Sequence, residues 1–467
     1  MRKWLGLLAL IPVQGMIFMD QTILPVALPT IQREFGAQDL ALEWTVTSYL
    51  VCTAMFALLG GKIGDRIGYR LTLFLGLLLF AISSLLCGWS PSIEALILSR
   101  ALQGFSAAMM IPLITVLFAP LFPESQRGKA TGLLSSVSAI FMIIGPLIGG
   151  YLTEQVSWRW IFWINPPLCL IGFWLGKKFL PHPPLGKGKI DLFGMAAFAV
   201  CSGSAVVFFT QSRAWGWSSS WTLSCGFLAL LSLFLLFYRE RRATHPFLDL
   251  SLFKYPAYAA INFSISLIQF TLMVSVFRAI YLQTVLGYTP SATGLLTFVS
   301  TLPILFCAPL AGYLSDKISP KLPIAMGYLF VIYSLFWLGF HSLPSLPSLL
   351  VSFIAFGIGL SLIFTPSYTS AMKAVPPQKL GIAFGLLATL RTLAGTMGVA
   401  LIGLFIDSVR DSQLAITGNE QLAEAASFSA VHFALGFLLI GTFAITFLLH
   451  RRRSTHELPS SPAEGWD

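Results

Sequence analysis

The chain is 467 residues long, 56% hydrophobic and only 10% charged. A water-soluble chain carries roughly 25% charged residues, and an interior this apolar would spill onto the surface as aggregating patches, so the composition excludes a soluble enzyme or soluble binding module. The net charge of +10 would raise nucleic acid as a partner of a soluble chain; here its meaning depends on where the cations sit.

A membrane helix needs about 20 mostly apolar residues. On that criterion the sequence reads as an all-α integral membrane protein of about fourteen transmembrane helices. In chain order they are Trp4–Leu28, Glu43–Gly61, Leu71–Gly88, Ile93–Phe118, Lys129–Thr153, Ile161–Leu180, Leu192–Gln211, Trp221–Tyr238, Tyr258–Val285, Ala292–Leu314, Leu322–Phe340, Leu346–Ala371, Leu380–Ile406 and Val431–His450. The basic start followed by apolar residues is like a signal peptide, but it lacks a small-residue cleavage site and runs on as a full span. It is read as the first membrane helix. Arg213–Trp217 is either an external turn or a re-entrant one.

Most of the 29 lysines and arginines then fall in loops on the same side as both termini, among them Lys62, Arg66, Arg70, Lys177, Lys178, Arg239, Lys317 and Arg451. Only Arg33, Arg159, Arg213 and Arg410 fall in loops on the other side, and Arg100, Arg278 and Arg391 fall inside spans. The bias predicts both termini in the cytoplasm, with the chain in an inner or plasma membrane. It also accounts for the basic charge without nucleic acid.

One cluster occurs twice. Gly61-Lys62-Ile63-Gly64-Asp65-Arg66, followed by Arg70, ends the second span; Gly312-Tyr313-Leu314-Ser315-Asp316-Lys317, followed by Lys321, ends the tenth, with the same spacing from glycine to aspartate and from glycine to the distal cation. Two six-helix bundles related by pseudo-two-fold symmetry follow, residues 1–184 and 251–453, with an inserted helix pair over 185–250 and a cytoplasmic tail at 454–467. Repeated bundles around a midplane site are the pattern of secondary transporters.

Four motifs carry a resemblance over nearly the whole chain. They are Asp20-Gln21-Thr22-Ile23-Leu24-Pro25 with the residues to Pro29, the loop Gly61–Arg70, Arg100-Ala101-Leu102-Gln103-Gly104, and Gly145-Pro146-Leu147-Ile148-Gly149-Gly150. Arg391-Thr392-Leu393-Ala394-Gly395 adds to them. The sequence resembles the major facilitator superfamily, in its fourteen-helix drug:proton antiporter branch. That resemblance implies alternating access by two rocking bundles and export of small amphipathic compounds against protons. A dedicated exporter of one metabolite, siderophore or lipid is the alternative.

The motifs also have a physical reading. In the loop, Gly61 and Gly64 allow close helix approach, Gly68 belongs to the turn, Asp65 suits a helix N-terminus, and Arg66 and Arg70 suit acids across the bundle interface. The resemblance implies a conformational latch, with Asp316 and Lys317 in the second copy. Tyr69 departs from the family, which usually has a cation there. A plain basic turn explains one copy of the loop but not its repetition. Gly145, Gly149 and Gly150 favour tight packing and Pro146 bends a helix; the resemblance makes this the antiporter motif, and a generic packing kink is the alternative.

Ionisable groups inside spans are functional candidates because lipid makes them costly. Asp20 is the proton-site candidate, since a carboxylate taken out of water can bind a proton near neutral pH; a purely structural aspartate is the alternative. Arg100 lies at a similar depth on its own helix, and the resemblance also assigns it to proton coupling. Arg278, at similar depth, either faces Asp20 at the external gate or snorkels to the outer interface. With one embedded acid against three embedded arginines, neutral, zwitterionic or anionic amphiphiles fit better than dications. Trp158, Trp160, Trp215 and Trp217 read as interfacial anchors. His341 and His432 read as external.

No histidine falls deep in a span, and no zinc-protease or serine-hydrolase motif occurs, so an intramembrane enzyme is disfavoured. An ATP-driven pump lacks its phosphate-binding loop. The six cysteines have no metal-site spacing. The reading has no cofactor, catalytic residue or metal; its partners are a small molecule, protons and lipid, with the chain a monomer.

Overall fold

A computed structural model describes residues 2–56, 59–118, 121–122, 124–181, 191–242, 250–376 and 380–451. The predicted tail at 454–467 lies outside them, as does the side chain of Asp316. Among the described residues the regular structure is helical: α1 (Arg2–Phe35), α2 (Asp39–Phe56), α3 (Leu59–Ile67), α4 (Tyr69–Gly88), α5 (Ile93–Phe118), α6 (Glu124–Gln155), α7 (Trp160–Trp163), α8 (Asn165–Phe179), α9 (Leu192–Trp215), α10 (Ser220–Arg242), α11 (Pro256–Leu272), α12 (Val274–Thr284), α13 (Pro290–Thr301), α14 (Pro303–Lys317), α15 (Lys321–Phe340), α16 (Leu346–Lys373), α17 (Leu380–Thr417) and α18 (Glu420–Arg451). Each predicted span falls on one of these helices or on two in succession. Eleven stretches of the described residues are long and apolar enough to cross a membrane, twelve if the bent pair α2 and α3 is one span; α6 and the α7–α8 pair coincide with the other two.

The breaks have local causes. Pro303 has no N–H to give, and α13 yields to α14 there. At the end of α12 the chain turns through Gly287, whose φ of +71° suits glycine. The next helix is capped by the Thr289 hydroxyl accepting from the Ala292 N–H, with proline at its start. Gly216, φ +84°, separates α9 from α10; Arg213 to Trp215 end α9, and the short turn between the two packed helices is 216–219.

α1 packs on α6 and α8, α2 on α5, and α4 on α5 and α8. In the second group α11 packs on α17 and α18, and α15 on α16 and α18. α9 lies against α2 of the first group and α17 of the second, while α10 packs on α9 and leaves most of its surface uncovered. Between the groups α6 runs along α13, α2 along α17 and α1 along α12. α6 barely touches α14, the continuation of α13, so the groups meet at the end predicted to face outward and part toward the other.

Three expectations need correction. Trp158 is no interfacial anchor: it is 1% exposed and its Nε1 donates to Glu34 at 2.6 Å, whereas Trp160, Trp215 and Trp217 are exposed. His432 is not external, because α18 begins eleven residues earlier than predicted, at Glu420 rather than Val431, and buries it completely. Gly61 does not serve close approach: a Cβ there would meet Pro112 at an ordinary 3.7 Å, and one at its counterpart Gly312 would meet Thr365 at the same distance. The tight contact belongs to Gly60, whose Cβ would lie 2.2 Å from the Met109 carbonyl.

Candidate functional site

Asp20 sits in α1, 1% exposed. Arg100, on α5, is equally buried and donates from Nη1 to Asp20 Oδ2 at 2.6 Å. The same nitrogen donates to Gln103 Oε1 at 2.6 Å, and Arg100 Nε donates to the Thr45 carbonyl at 3.1 Å. Gln103 Nε2 completes the ring, donating to Asp20 Oδ1 at 3.1 Å and to Ser84 Oγ at 2.8 Å. The Tyr49 ring lies 4.3 Å from the Arg100 guanidinium carbon. One closed network thus ties α1, α2, α4 and α5. Gly104 makes it possible: a Cβ there would lie 2.2 Å from the Tyr49 carbonyl, so only glycine lets α5 approach α2 this closely.

Gln103 is a site residue that its motif alone does not mark. Its sequence signal is the spacing from Arg100, since residues three apart on a helix share a face, and a polar amide beside a buried arginine has to find partners. Chemically the network can switch. A proton on Asp20 would remove one charge of a pair that a low-dielectric setting makes strong, leaving Arg100 with a carbonyl, an amide and two aromatic rings.

Arg278 does not face Asp20, which overturns the expected gate pair, and it does not snorkel either. It is 4% exposed, and its Nε donates to His432 Nε2 at 3.0 Å. Its side chain turns toward α18 rather than α1. The first helices of the two groups do meet, through Gln283 Nε2 donating to the Val26 carbonyl at 2.7 Å. Arg391 is half-buried on α17, with its Nε unpartnered.

The loop residues make contacts inside the first group. The Tyr69 hydroxyl donates to Asp65 at 2.5 Å, so this departure from the family occupies the carboxylate locally. Arg70 donates to the Lys177 and Leu180 carbonyls at the end of α8, where cations are favoured. Gly64 has Tyr69 and Leu113 within 3 Å of its would-be Cβ, and Gly68 has φ +102°. Arg66 is exposed, and Lys317 lies over the Tyr313 ring at 4.9 Å.

The glycine run packs α6 both on α1 of its own group and on α13 across the seam between the groups. Cβ atoms on Gly145 and Gly149 would strike Thr22 and Ile23 of α1, and one on Gly150 would lie 2.4 Å from the Pro290 carbonyl. Gly294 returns the contact, 2.3 Å from the Pro146 carbonyl. Glu154 accepts from the Ser291 N–H at 2.8 Å beside them, and Arg410 holds Asp39 at 2.8 Å across the α2–α17 contact.

The sequence profile described as Major Facilitator Superfamily matches residues 10–253, 190–399 and 259–466. The chain is 31% identical over 456 residues to multidrug resistance protein Stp of Mycobacterium tuberculosis, covering 96% of this chain and 84% of the relative. It is 30% identical over 454 residues to riboflavin transporter RibZ of Clostridioides difficile, covering 96% and 98%. It is 29% identical to puromycin resistance protein pur8 of Streptomyces alboniger, covering 97% and 92%. A crystal structure of a bacterial homolog to the human lysosomal transporter Spinster, inward-facing and unoccupied, shares the fold with TM-score 0.72 at 18% identity, covering 98% of this chain and 99% of that one.

Proposed function

The chain belongs to the major facilitator superfamily, and from that premise we propose that it is a proton-coupled exporter of small amphipathic compounds, working as a monomer by alternating access. The fourteen predicted spans, the motifs and the relatives named for multidrug and puromycin resistance support the drug:proton antiporter branch. The observation that carries proton coupling is Asp20, buried to 1% and held by one guanidinium and one amide. A proton taken up there loosens the tie between α1 and α5, and driving-ion binding changes how the first bundle is braced.

In this reading the Gly145–Gly150 seam closes the outer side in the state described, and the Gly61–Arg70 loop and its second copy, Asp316 and Lys317, latch the inner side in the opposite state. The inner latch is then open here, in keeping with Asp65 and Arg70 bonding within their own bundle. Both termini are cytoplasmic: reporters fused after Arg453 should read inside, and one between Asp407 and Ser427 outside. The likeness to a riboflavin transporter favours one second reading, a dedicated exporter of a metabolite.

The test is transport by the purified protein in proteoliposomes under an imposed pH gradient, with unrelated dyes, antibiotics and riboflavin side by side. Gradient-driven movement of several unrelated amphiphiles is expected. Movement of one compound alone favours the dedicated exporter, and movement indifferent to the gradient contradicts proton coupling.

A further inference from the structure

A cavity of about 270 Å³ lies between α2 and helices α12, α17 and α18. Arg278 and His432 line its buried part, and Asp39 and Glu420 its exposed part. Arg278 is the unusual group. It is 4% exposed, yet among the described residues no carboxylate lies within ion-pair distance and its Nη2 has no hydrogen-bond partner. Its hydrogen-bond partner among the described residues offers no charge: His432 Nδ1 is bonded to the Phe428 carbonyl at 2.6 Å, so Nδ1 donates and Nε2 accepts from Arg278 as a neutral imidazole. The rings of Phe356 and Phe353, 4.5 and 5.6 Å from the guanidinium carbon, compensate only in part. A buried cation without a counter-charge is costly, and Arg278 is one of the residues that line the open space.

Three of the acids nearby are held by another cation. Arg410 holds Asp39, Asp407 and Glu424 at 2.8, 3.1 and 3.2 Å. Glu43 and Glu420 line the same cavity, so its carboxylates outnumber its two guanidinium groups. A simple anion would be repelled by that rim before reaching Arg278. A molecule with an acid group at one end and a cation at the other satisfies both. The volume lies just below the range of ligand pockets, roughly 300–1,000 Å³, and so suits one polar end of an amphiphile.

We propose that this cavity binds an amphoteric substrate, Arg278 taking its carboxylate and the acidic rim its cationic group. The proposal rests on the exporter reading and names the substrate class at that transporter. The probes are a rhodamine with a free carboxylate and its methyl ester, which share the cationic ring system and differ in the acid alone. Binding to the purified full-length protein is read by fluorescence anisotropy. Wild type should bind the acid at least about tenfold more tightly than the ester, the size of a charge-assisted contact. Arg278→Gln should abolish that preference by weakening the acid alone, and Arg278→Lys should keep part of it. Equal affinity of wild type for the two dyes, binding of neither, or equal weakening of both in Arg278→Gln and Arg278→Lys overturns the site. The same dyes under a pH gradient separate the two claims: driven transport of both without preference overturns the site alone, whereas no driven transport of either overturns the exporter reading as well.

Discussion

Arg100 and Arg278 make an instructive pair. Each is almost inaccessible, 1% and 4% exposed, and each lies against an aromatic face, Tyr49 at 4.3 Å and Phe356 at 4.5 Å. Their polar surroundings are opposite. Arg100 has a carboxylate, an amide and a backbone carbonyl; Arg278 has one neutral imidazole and an unpartnered Nη2, and it lines a cavity. A buried charge that is fully partnered forms a closed device whose state changes when a partner is protonated. A buried charge left short of a partner is an open valence, and a ligand can fill it. The first bundle thus holds the proton-responsive element of the proposed cycle and the second holds the ligand-responsive one.

The sharpest way to break this contrast is the same substitution at both places. Arg100→Leu strands Asp20 without its counter-charge and should cost about 3–5 kcal/mol, the loss seen when one member of a buried pair is removed. Arg278→Leu removes a charge that has no counter-ion, and should change stability by under about 1 kcal/mol or raise it. Reversible unfolding in detergent reads both; equal losses would erase the distinction. A double-mutant cycle sharpens it. Asp20→Asn combined with Arg100→Leu should recover about 1–3 kcal/mol relative to additivity, while Asp20→Asn with Arg278→Leu should be additive.

The seam supplies the next largest effect. Gly150→Val places side-chain atoms where the Pro290 carbonyl already lies 2.4 Å from a would-be Cβ, an overpacking cost of about 1–3 kcal/mol. Spin labels at the exposed Val156 and Ile416, with the native cysteines replaced, should move apart as the outer end opens. An unchanged distance would show that the seam does not hold the bundles together. Arg410→Ala should do the same more weakly, by about 0.2–1 kcal/mol for each ion pair, because this cluster is partly exposed to solvent.

What the sequence discloses follows the physics of a membrane helix. Rise per residue converts position into depth, so the matched levels of Asp20 and Arg100 are readable from residue counts, and the two side chains do touch. Direction around the helix axis is not readable in the same way. Arg278 has the same predicted depth yet points to His432, and His432 is hard to place from sequence because α18 starts in a stretch, Glu420–Ser427, whose polar residues look like a loop. Glycines show the same limit. A run of small residues marks close packing, but only the packed helices reveal that Gly60, not Gly61, meets the Met109 backbone. Trp158 looks like an anchor beside Trp160; its hydrogen bond to Glu34 and the Phe35 ring at 5.7 Å place it in the core.

The central claim is that a proton bound at Asp20 drives export. Its most direct test is proton flux in proteoliposomes carrying a trapped pH indicator, with an amphiphilic substrate supplied and an imposed substrate gradient. Wild type should move protons against the substrate flow, and Asp20→Asn should bind the substrate yet move no protons, with driven transport reduced by about two orders of magnitude or more, as expected on removing a proton-transfer group. Full substrate-linked proton flux in Asp20→Asn would contradict the account and move the proton site elsewhere, to Glu43 or Glu154 near the outer ends of their spans.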